Sequence, residues 1–426
     1  MRWFGALAIV LAIPFLLVMR WVFFPLSYEL NGIAFPLFSY ARSHPRVVPG
    51  SFGILAAILL AIAACACAWR KPAYVCAAGG GLLLVSLWAF LQVAVGDTNL
   101  LVRLSRELDW WQAAYAANLQ YVPGSVSAEP TVWGQLSFDT VWDRFASGFY
   151  FMALGWDLAL GAGLVLLLSG GWTAGARHAR PIVALLGVAM AAVALIFLWG
   201  PLKAEHALTR AIVAQARGRS EEASGYYRQA LQADPWYARN AKIYARIGSV
   251  DGALGRKSTP EYQIFYAESL AARAQLPNAV GGLPAAISIY DKLAQETGGP
   301  ILALATQRAI ELRTLYGARL FNGGSFGSAV QTWKSALVRD PDFWIAAYYL
   351  SRGYYTLGQY KEAAALSEET IRRAQADPTM LGSLYGNLGD VHTRTGDLSS
   401  AHLDYFQSYD HDYRLNSRGL TSVIGP

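Results

Sequence analysis

Long apolar runs fill the first 200 residues, and narrower apolar stripes recur at helical spacing through the rest of the chain. Five runs approach the ~20 residues that a helix needs to cross the hydrocarbon core of a bilayer. They predict membrane helices at about residues 3–24, 52–69, 73–95, 149–169 and 181–200. Beyond residue 200 the apolar positions lie three and four residues apart, which is typical of helices that bury one face.

The stretch between residues 310 and 343 shows the second pattern most clearly. Two helical stripes flank a break at Gly323-Gly324, and Asp340-Pro341 ends the second stripe. Small residues at Gly317 and Ala329 allow two antiparallel helices to approach closely. Because a single helix pair cannot bury both of its faces, further pairs must stack on it.

This stretch resembles a tetratricopeptide repeat (TPR). The resemblance rests on Gly317 in the first helix and on the small–aromatic–small series Ala329, Trp333 and Ala336 before Pro341. It implies stacked helix pairs that form a curved solenoid and bind other proteins in a concave groove.

Four less regular copies of the spacing extend the resemblance over about half the chain. They begin near residues 204, 267, 344 and 380, and the copy at 267–300 is the weakest. Between them, residues 238–266 fit the spacing least, and a helix is predicted to begin at Ser258-Thr259-Pro260. The predicted fold is all-α, with a five-helix transmembrane bundle over residues 1–200 and a TPR-like α-solenoid over residues 201–426.

Charge density separates the two parts. Residues 1–200 hold eleven Lys or Arg and eight Asp or Glu, whereas residues 201–426 hold 24 and 21. The sparse charge of the first part is typical of a membrane region, and that of the second part of a soluble region. A net charge of +3 in each part, without a basic aromatic patch, argues against a nucleic-acid partner.

Basic residues in short turns predict the orientation in the membrane. The short segments on one side of the five predicted crossings contain basic residues and no acids. These basic residues are Arg2, Arg70, Lys71, Arg177 and Arg180. The positive-inside rule places the N-terminus in the cytoplasm, and an odd number of crossings places the repeats outside. If the source is bacterial, the protein lies in the inner membrane with its C-terminal domain in the periplasm.

The first apolar run has a second interpretation, a cleavable signal peptide. The run continues through Arg20 into WVFFP, and no small-x-small cleavage site lies nearby. These features favour an uncleaved membrane helix.

Two extracytoplasmic loops are predicted at residues 26–50 and 96–147. The second carries an amphipathic helix and a further short helix (FDTVWDRFASGFYF) before the fourth crossing. Its aromatic residues suit the membrane interface, or alternatively a docking surface for a partner or lipid; they are Trp110, Trp111, Trp133 and Trp142.

Asp157 is the most unusual residue of the predicted crossings, because it is an acid within an apolar run. It lies about eight residues into the run that begins at residue 149, a depth of roughly 12 Å. At such a depth an acid contacts another subunit or carries a proton, or else it is bonded within its own bundle and fixes helix packing.

The repeat region is rich in tyrosine, and tyrosine and arginine are favoured at binding hot spots. In the TPR family the first helix of each pair lines the concave surface. The resemblance therefore implies a protein-binding groove at Tyr348, Arg352, Tyr355, Asn387 and Arg394, although core packing explains each tyrosine taken singly.

Candidate chemistry is sparse. Cys65, Cys67 and Cys76 lie in or beside apolar runs and are interpreted as small apolar residues, with a Cys65–Cys67 ligand pair as the alternative. His402 and His411 lie near aspartates but do not keep one helix face. No phosphate-binding loop or Ser/His/Asp set is present, so we expect no metal, no cofactor and no enzymatic activity.

The sequence therefore predicts a membrane scaffold that organises protein partners in a cell-envelope complex. Pro201 is expected to start a new helix at the membrane surface, which would make the solenoid a rigid arm. Two alternatives remain: a transporter or membrane-enzyme subunit that uses Asp157, and an anchor whose repeats bind cytosolic partners.

Overall fold

The computed structural model of the chain describes residues 2–24, 28–33, 35, 37, 51–95, 140–174, 176–274, 281–373 and 378–411. Sixteen α-helices and one two-stranded antiparallel sheet lie within these residues. Their contacts form two compact units. The first unit contains the described residues up to Phe24 and those from Tyr28 to Glu205. The second unit contains the described residues from His206 onward.

Five long apolar helices and one short amphipathic helix build the first unit. They are α1 (Arg2–Val18), α2 (Phe52–Ala68), α3 (Pro72–Ala94), the short α4 (Val141–Phe151), α5 (Leu154–Ala174) and α6 (Ala176–Ala216). Small residues let these helices touch, since a Cβ added at Gly79 of α3 would lie 2.4 Å from the backbone nitrogen of Leu167 in α5. Such close approach is typical of helix packing in membranes.

A small sheet replaces the end of the first predicted crossing. The predicted helix at 3–24 is corrected, because α1 ends at Val18 and β1 (Arg20–Phe24) pairs with β2 (Tyr28–Asn31). The aromatic and β-branched residues of β1 favour a strand. Trp21 fixes the change of direction, because its fully buried indole donates from Nε1 to the carbonyl oxygen of Leu16 at 2.8 Å.

A break at Met152 and Ala153 interrupts the predicted helix 149–169. The Ala153 N–H donates to the carbonyl oxygen of Trp21 at 2.9 Å, and Met152 forms an isolated bridge with Val22. The chain leaves helical geometry here because its backbone pairs with β1. The fourth apolar helix, α5, therefore begins five residues later than predicted.

The fifth predicted crossing, residues 181–200, is part of the single helix α6, which contains Pro181 and Pro201. The expectation that Pro201 starts a new helix is corrected, because α6 continues for fifteen residues beyond it. A proline inside a helix removes one hydrogen bond. Pro201 is buried, and α6 remains helical on both sides of it.

Within the residues that the structure describes, three helices are long and apolar enough to span a membrane: Pro72–Ala94, Leu154–Trp172 and Pro181–Ala216. The apolar segments Ala6–Val18 and Phe52–Ala68 are shorter. At 1.5 Å per residue, the 17 residues of α2 extend about 25 Å, somewhat less than the ~30 Å of a bilayer core.

Stacked antiparallel helices build the second unit. After the end of α6 come α7 (Ser220–Ala233), α8 (Ala241–Ala253), α9 (Pro260–Ala274), α10 (Gly282–Glu296), α11 (Gly299–Asn322), α12 (Phe326–Arg339), α13 (Trp344–Thr356), α14 (Tyr360–Arg373), α15 (Pro378–Thr395) and α16 (Leu398–His411). From α7 onward each helix packs against the next along the chain. This is the arrangement of an α-solenoid.

The small and aromatic residues of the repeat pattern form the core of each pair. Ala329, Trp333 and Ala336 are fully buried between α11 and α12, and the indole of Trp333 donates to the carbonyl oxygen of Thr314 at 3.0 Å. The turn between these two helices requires Gly324, whose φ of +80° favours glycine. The predicted helix pair at 310–343 is confirmed.

One further repeat-like pair lies in the region that fitted the spacing least. Gly248 of α8 meets α9, since an added Cβ would lie 2.0 Å from the carbonyl oxygen of Glu261. Gly248 stands as far before Pro260 as Gly317 stands before Ala329. The predicted helix start is confirmed, because α9 begins at Pro260.

Candidate functional site

The first helices of the last three pairs, α11, α13 and α15, form one continuous side of the solenoid. α11 contacts α13, and α13 contacts α15, in addition to the contacts within each pair. The second helices of these pairs, α12, α14 and α16, contact one another less than the first helices do, so the first helices lie closer together. They therefore line the inner side of the curve.

A polar and aromatic cluster lies on this inner side between α13 and α15. The guanidinium of Arg352 forms an ion pair with Asp390 and donates from Nη1 to Asn387 Oδ1 at 3.4 Å. It also lies over the ring of Tyr355, with 5.4 Å from Cζ to the ring centroid. Asn387 Nδ2 donates to the carbonyl oxygen of Tyr348 at 3.4 Å.

Asp390 is held from a third helix. The phenol of Tyr405 in α16 donates to Asp390 Oδ1 at 2.8 Å, while Oδ2 faces Arg352. Burial raises the pKa of the Tyr405 phenol above its ordinary value, so the phenol remains a donor at neutral pH. Arg352 is therefore oriented before any ligand arrives, which lowers the entropy cost of binding.

The structure brings together four of the five residues proposed for the groove. Tyr348, Arg352, Tyr355 and Asn387 lie in one cluster, whereas Arg394 is an exposed residue near the end of α15. Sequence reasoning missed Asp390. Asp390 lies one turn after Asn387 on the same helix, and this spacing could have indicated that both face the same surface.

A second charged cluster joins helices α9 and α11 further back in the solenoid. Arg308 of α11 donates to both carboxylate oxygens of Glu268 in α9 at 2.9 Å each, and to Glu311 at 2.6 Å. Burial alone would lower the pKa of Arg308, but the charges of Glu268 and Glu311 raise it well above the ordinary value. Only 4% of the Glu311 side chain is exposed. This cluster connects helices of the solenoid core.

The terminal pair contains a histidine that contacts a carboxylate. His392 Nδ1 lies 2.6 Å from Asp404 Oδ2, and burial raises the pKa of Asp404. His402 is exposed, and the side chain of His411 lies outside the described part. Across the described ranges, no three His, Cys, Asp or Glu side chains lie close enough together to hold a metal ion.

Asp157 lies in the first turn of α5, because that helix begins at Leu154. The expected depth of roughly 12 Å assumed a helix from residue 149, whereas α5 begins at Leu154, and the depth stays a prediction. The side chain is exposed, and an acid in a first turn interacts favourably with the helix dipole.

Of the four tryptophans assigned to the interface, only Trp142 is described. Its side chain is 64% exposed on α4, next to the Thr140–Asp143 capping box that begins this helix. Trp110, Trp111 and Trp133 lie outside the described residues.

Comparison with known proteins adds only structural relatives. No protein-family model matches the chain, and no curated protein sequence matches it. The crystal structure of MamA is similar with 16% identity over 48% of this chain and 95% of that chain, at a TM-score of 0.25. TTC0263, a TPR protein of Thermus thermophilus, has 17% identity over 52% and 98%, at a TM-score of 0.23.

The TPR domain of P58(IPK) is similar with 11% identity over 87% of this chain and 86% of that chain, at a TM-score of 0.29. The second unit resembles the tetratricopeptide repeat proteins. Because these TM-scores are low, the fold assignment depends on the chain's own stacked pairs, such as the contact of Gly317 with Trp333. A TPR-like unit with a polar aromatic inner surface fits a protein-interaction scaffold.

Proposed function

We propose that this chain is a membrane-anchored scaffold that organises protein partners in a multi-subunit complex of the bacterial cell envelope. Its first unit crosses the inner membrane five times, with the N-terminus in the cytoplasm. Its TPR-like unit lies in the periplasm and binds proteins on the inner surface formed by α11, α13 and α15.

The cluster around Arg352 carries the proposal for protein binding. It combines an arginine, two tyrosines and an amide on adjacent first helices, and arginine and tyrosine are enriched at protein-binding hot spots. The ion pair with Asp390 neutralises Arg352, so the surface does not require an acidic partner. A neutral, extended segment of a partner with hydrogen-bonding groups fits it best.

The outer surface of α6 supports the membrane assignment. Leu185, Ile196 and Trp199 expose 69%, 77% and 69% of their side chains. Leaving so many large apolar side chains in water on one helix is unfavourable by about 25 cal/mol per Å². Lipid or a neighbouring membrane helix would remove this cost.

Site-directed photo-crosslinking tests the proposal. A photoreactive amino acid at Tyr355 is expected to capture a distinct partner in cells, whereas the same group at Val338 is not. Val338 is a suitable control because it is 83% exposed on the second helix α12. Capture at 338 but not at 355 would contradict a binding surface on the first helices.

Purification of the full chain in mild detergent tests the scaffold role. At least one co-purifying protein is expected to be lost when Tyr355 and Asn387 are both replaced by alanine. If every co-purifying protein survives this replacement but is lost in Asp157→Asn, the alternative of an active membrane subunit is favoured.

A further inference from the structure

The turn between α2 and α3 contains an unusual arginine. Arg70 has a φ of +55° and is the one non-glycine residue with positive φ in the described part of the chain. The Lys71 N–H donates to the carbonyl oxygen of Ala66 at 2.8 Å and closes the end of α2. Glycine is the usual residue at this position, and an arginine there has a local backbone cost.

The end of α5 lies beside this turn. A Cβ added at Gly170 would be 2.9 Å from the carbonyl oxygen of Pro72 and 2.5 Å from the nitrogen of Cys76. The last turns of α5 therefore pack against the first turns of α3. Trp172 of α5 consequently lies at the same end of the first unit as Arg70 and Lys71.

Three large aromatic side chains at this end are exposed. Trp69 is 73% exposed, Tyr74 is 62% exposed and Trp172 is 91% exposed. Aromatic side chains with one polar group are favoured at the boundary between lipid headgroups and acyl chains. Exposed aromatic side chains therefore lie at the same end of the first unit as the two basic residues of the turn.

The acids of the described first unit are elsewhere. Asp143 and Asp157 lie in the first turns of α4 and α5, and Glu29 lies in β2. Glu205, near the far end of α6, accepts a hydrogen bond from the Val141 N–H at 3.5 Å. All four lie toward the opposite end of the helices, so no described acid neutralises Arg70 or Lys71.

We propose that this basic aromatic end, defined by Trp69, Arg70, Lys71, Tyr74 and Trp172, binds the headgroups of anionic phospholipids. The inference rests on the proposed membrane function and specifies the lipid class. Arg70 and Lys71 contact the phosphate groups, and the aromatic rings fix the depth of the helices. Each basic residue near an anionic membrane surface contributes roughly fivefold to binding.

The test uses the full chain in nanodiscs that contain phosphatidylcholine with a minority of phosphatidylglycerol. Lipid that stays bound after transfer to detergent is identified by native mass spectrometry. The natural chain is expected to retain phosphatidylglycerol above its share in the disc. The Arg70→Gly, Lys71→Gln double variant is expected to lose about tenfold or more of this preference.

Two controls make the result decisive. Glycine adopts a positive φ without steric cost, so the variant with glycine at position 70 is expected to remain at least as stable as the natural chain. Lys203→Gln removes an exposed charge from the far part of α6 and is expected to keep the preference. Equal preference in the double variant, or no preference in the natural chain, overturns the inference. A natural chain that never enters the disc overturns the proposed membrane function instead.

Discussion

Gly317 lies directly against the indole of Trp333, so that a Cβ added at position 317 would be 2.4 Å from Trp333 Nε1. That nitrogen donates to the carbonyl oxygen of Thr314, on the same helix as Gly317. The missing side chain therefore allows the tryptophan to bond to the backbone of its partner helix. Gly389 and Tyr405 repeat the arrangement in the last pair, with an added Cβ 2.6 Å from the ring.

Gly317→Ala is expected to destabilise the solenoid by about 1–3 kcal/mol, because the methyl group displaces the indole from its hydrogen bond. Gly225→Ala is the matched control. Gly225 lies inside α7 with nothing within 4 Å of an added Cβ, so alanine should stabilise by about 0.5–1 kcal/mol. Thermal unfolding of the full chain in detergent distinguishes the two. Equal effects at both positions would contradict the packing described.

Arg308→Met is expected to destabilise the second unit by about 3 kcal/mol, since it leaves Glu268 and Glu311 without their counter-charge. Arg372→Met is the control. Arg372 pairs with Glu369 at the same spacing on an exposed surface and should change stability little. Denaturant unfolding measures both. Adding Glu311→Gln to Arg308→Met should recover part of the loss.

Stability is expected to fall as pH rises above about 10, the ordinary phenol pKa. Burial and the neighbouring Tyr348 raise the pKa of the Tyr349 phenol well above this value. Above pH 10 the unfolded chain releases the proton first, which stabilises it relative to the folded chain, whereas below pH 10 both states are protonated. Denaturation midpoints between pH 8 and 11 give the slope. The pH dependence should be shallower in Tyr349→Phe. An unchanged slope would show that Tyr349 does not contribute to the loss of stability.

Tyr405→Phe is expected to cost about 1 kcal/mol and to weaken partner capture at position 355. The phenol holds Asp390, and Asp390 orients Arg352 over Tyr355. Tyr409→Phe, on the same helix and 42% exposed, should change neither property. Unfolding midpoints and crosslinking yields are the measurements. Undiminished capture in Tyr405→Phe would show that Asp390 does not prepare the surface.

The repeat core could be predicted from sequence because its determinants are local. Gly317, Ala329 and Trp333 lie within one stretch of chain, and their spacing alone indicates the pair. The α8–α9 pair was missed because Pro260 stands where the pattern has a small residue. Asp390 was missed because its contact with Arg352 depends on how successive pairs stack.

The breaks in the first unit could not be predicted in the same way. Residues 149–154 are apolar, and so are residues 19–24 apart from Arg20, so hydropathy alone indicates no break in either stretch. Their helices end because Ala153 and Met152 pair with the strand that contains Trp21 and Val22. This pairing joins segments more than one hundred residues apart and leaves no periodic signal in either.

Labelling of single cysteines in intact cells tests the central claim most directly. Cys65, Cys67 and Cys76 are first replaced by alanine, and one cysteine is then placed at Val338 or at Arg70, both on exposed positions. A membrane-impermeant maleimide, applied after the outer membrane is opened, is expected to label position 338. It should label position 70 only after lysis. Labelling at 70 with protection at 338 would place the solenoid in the cytoplasm and contradict the account.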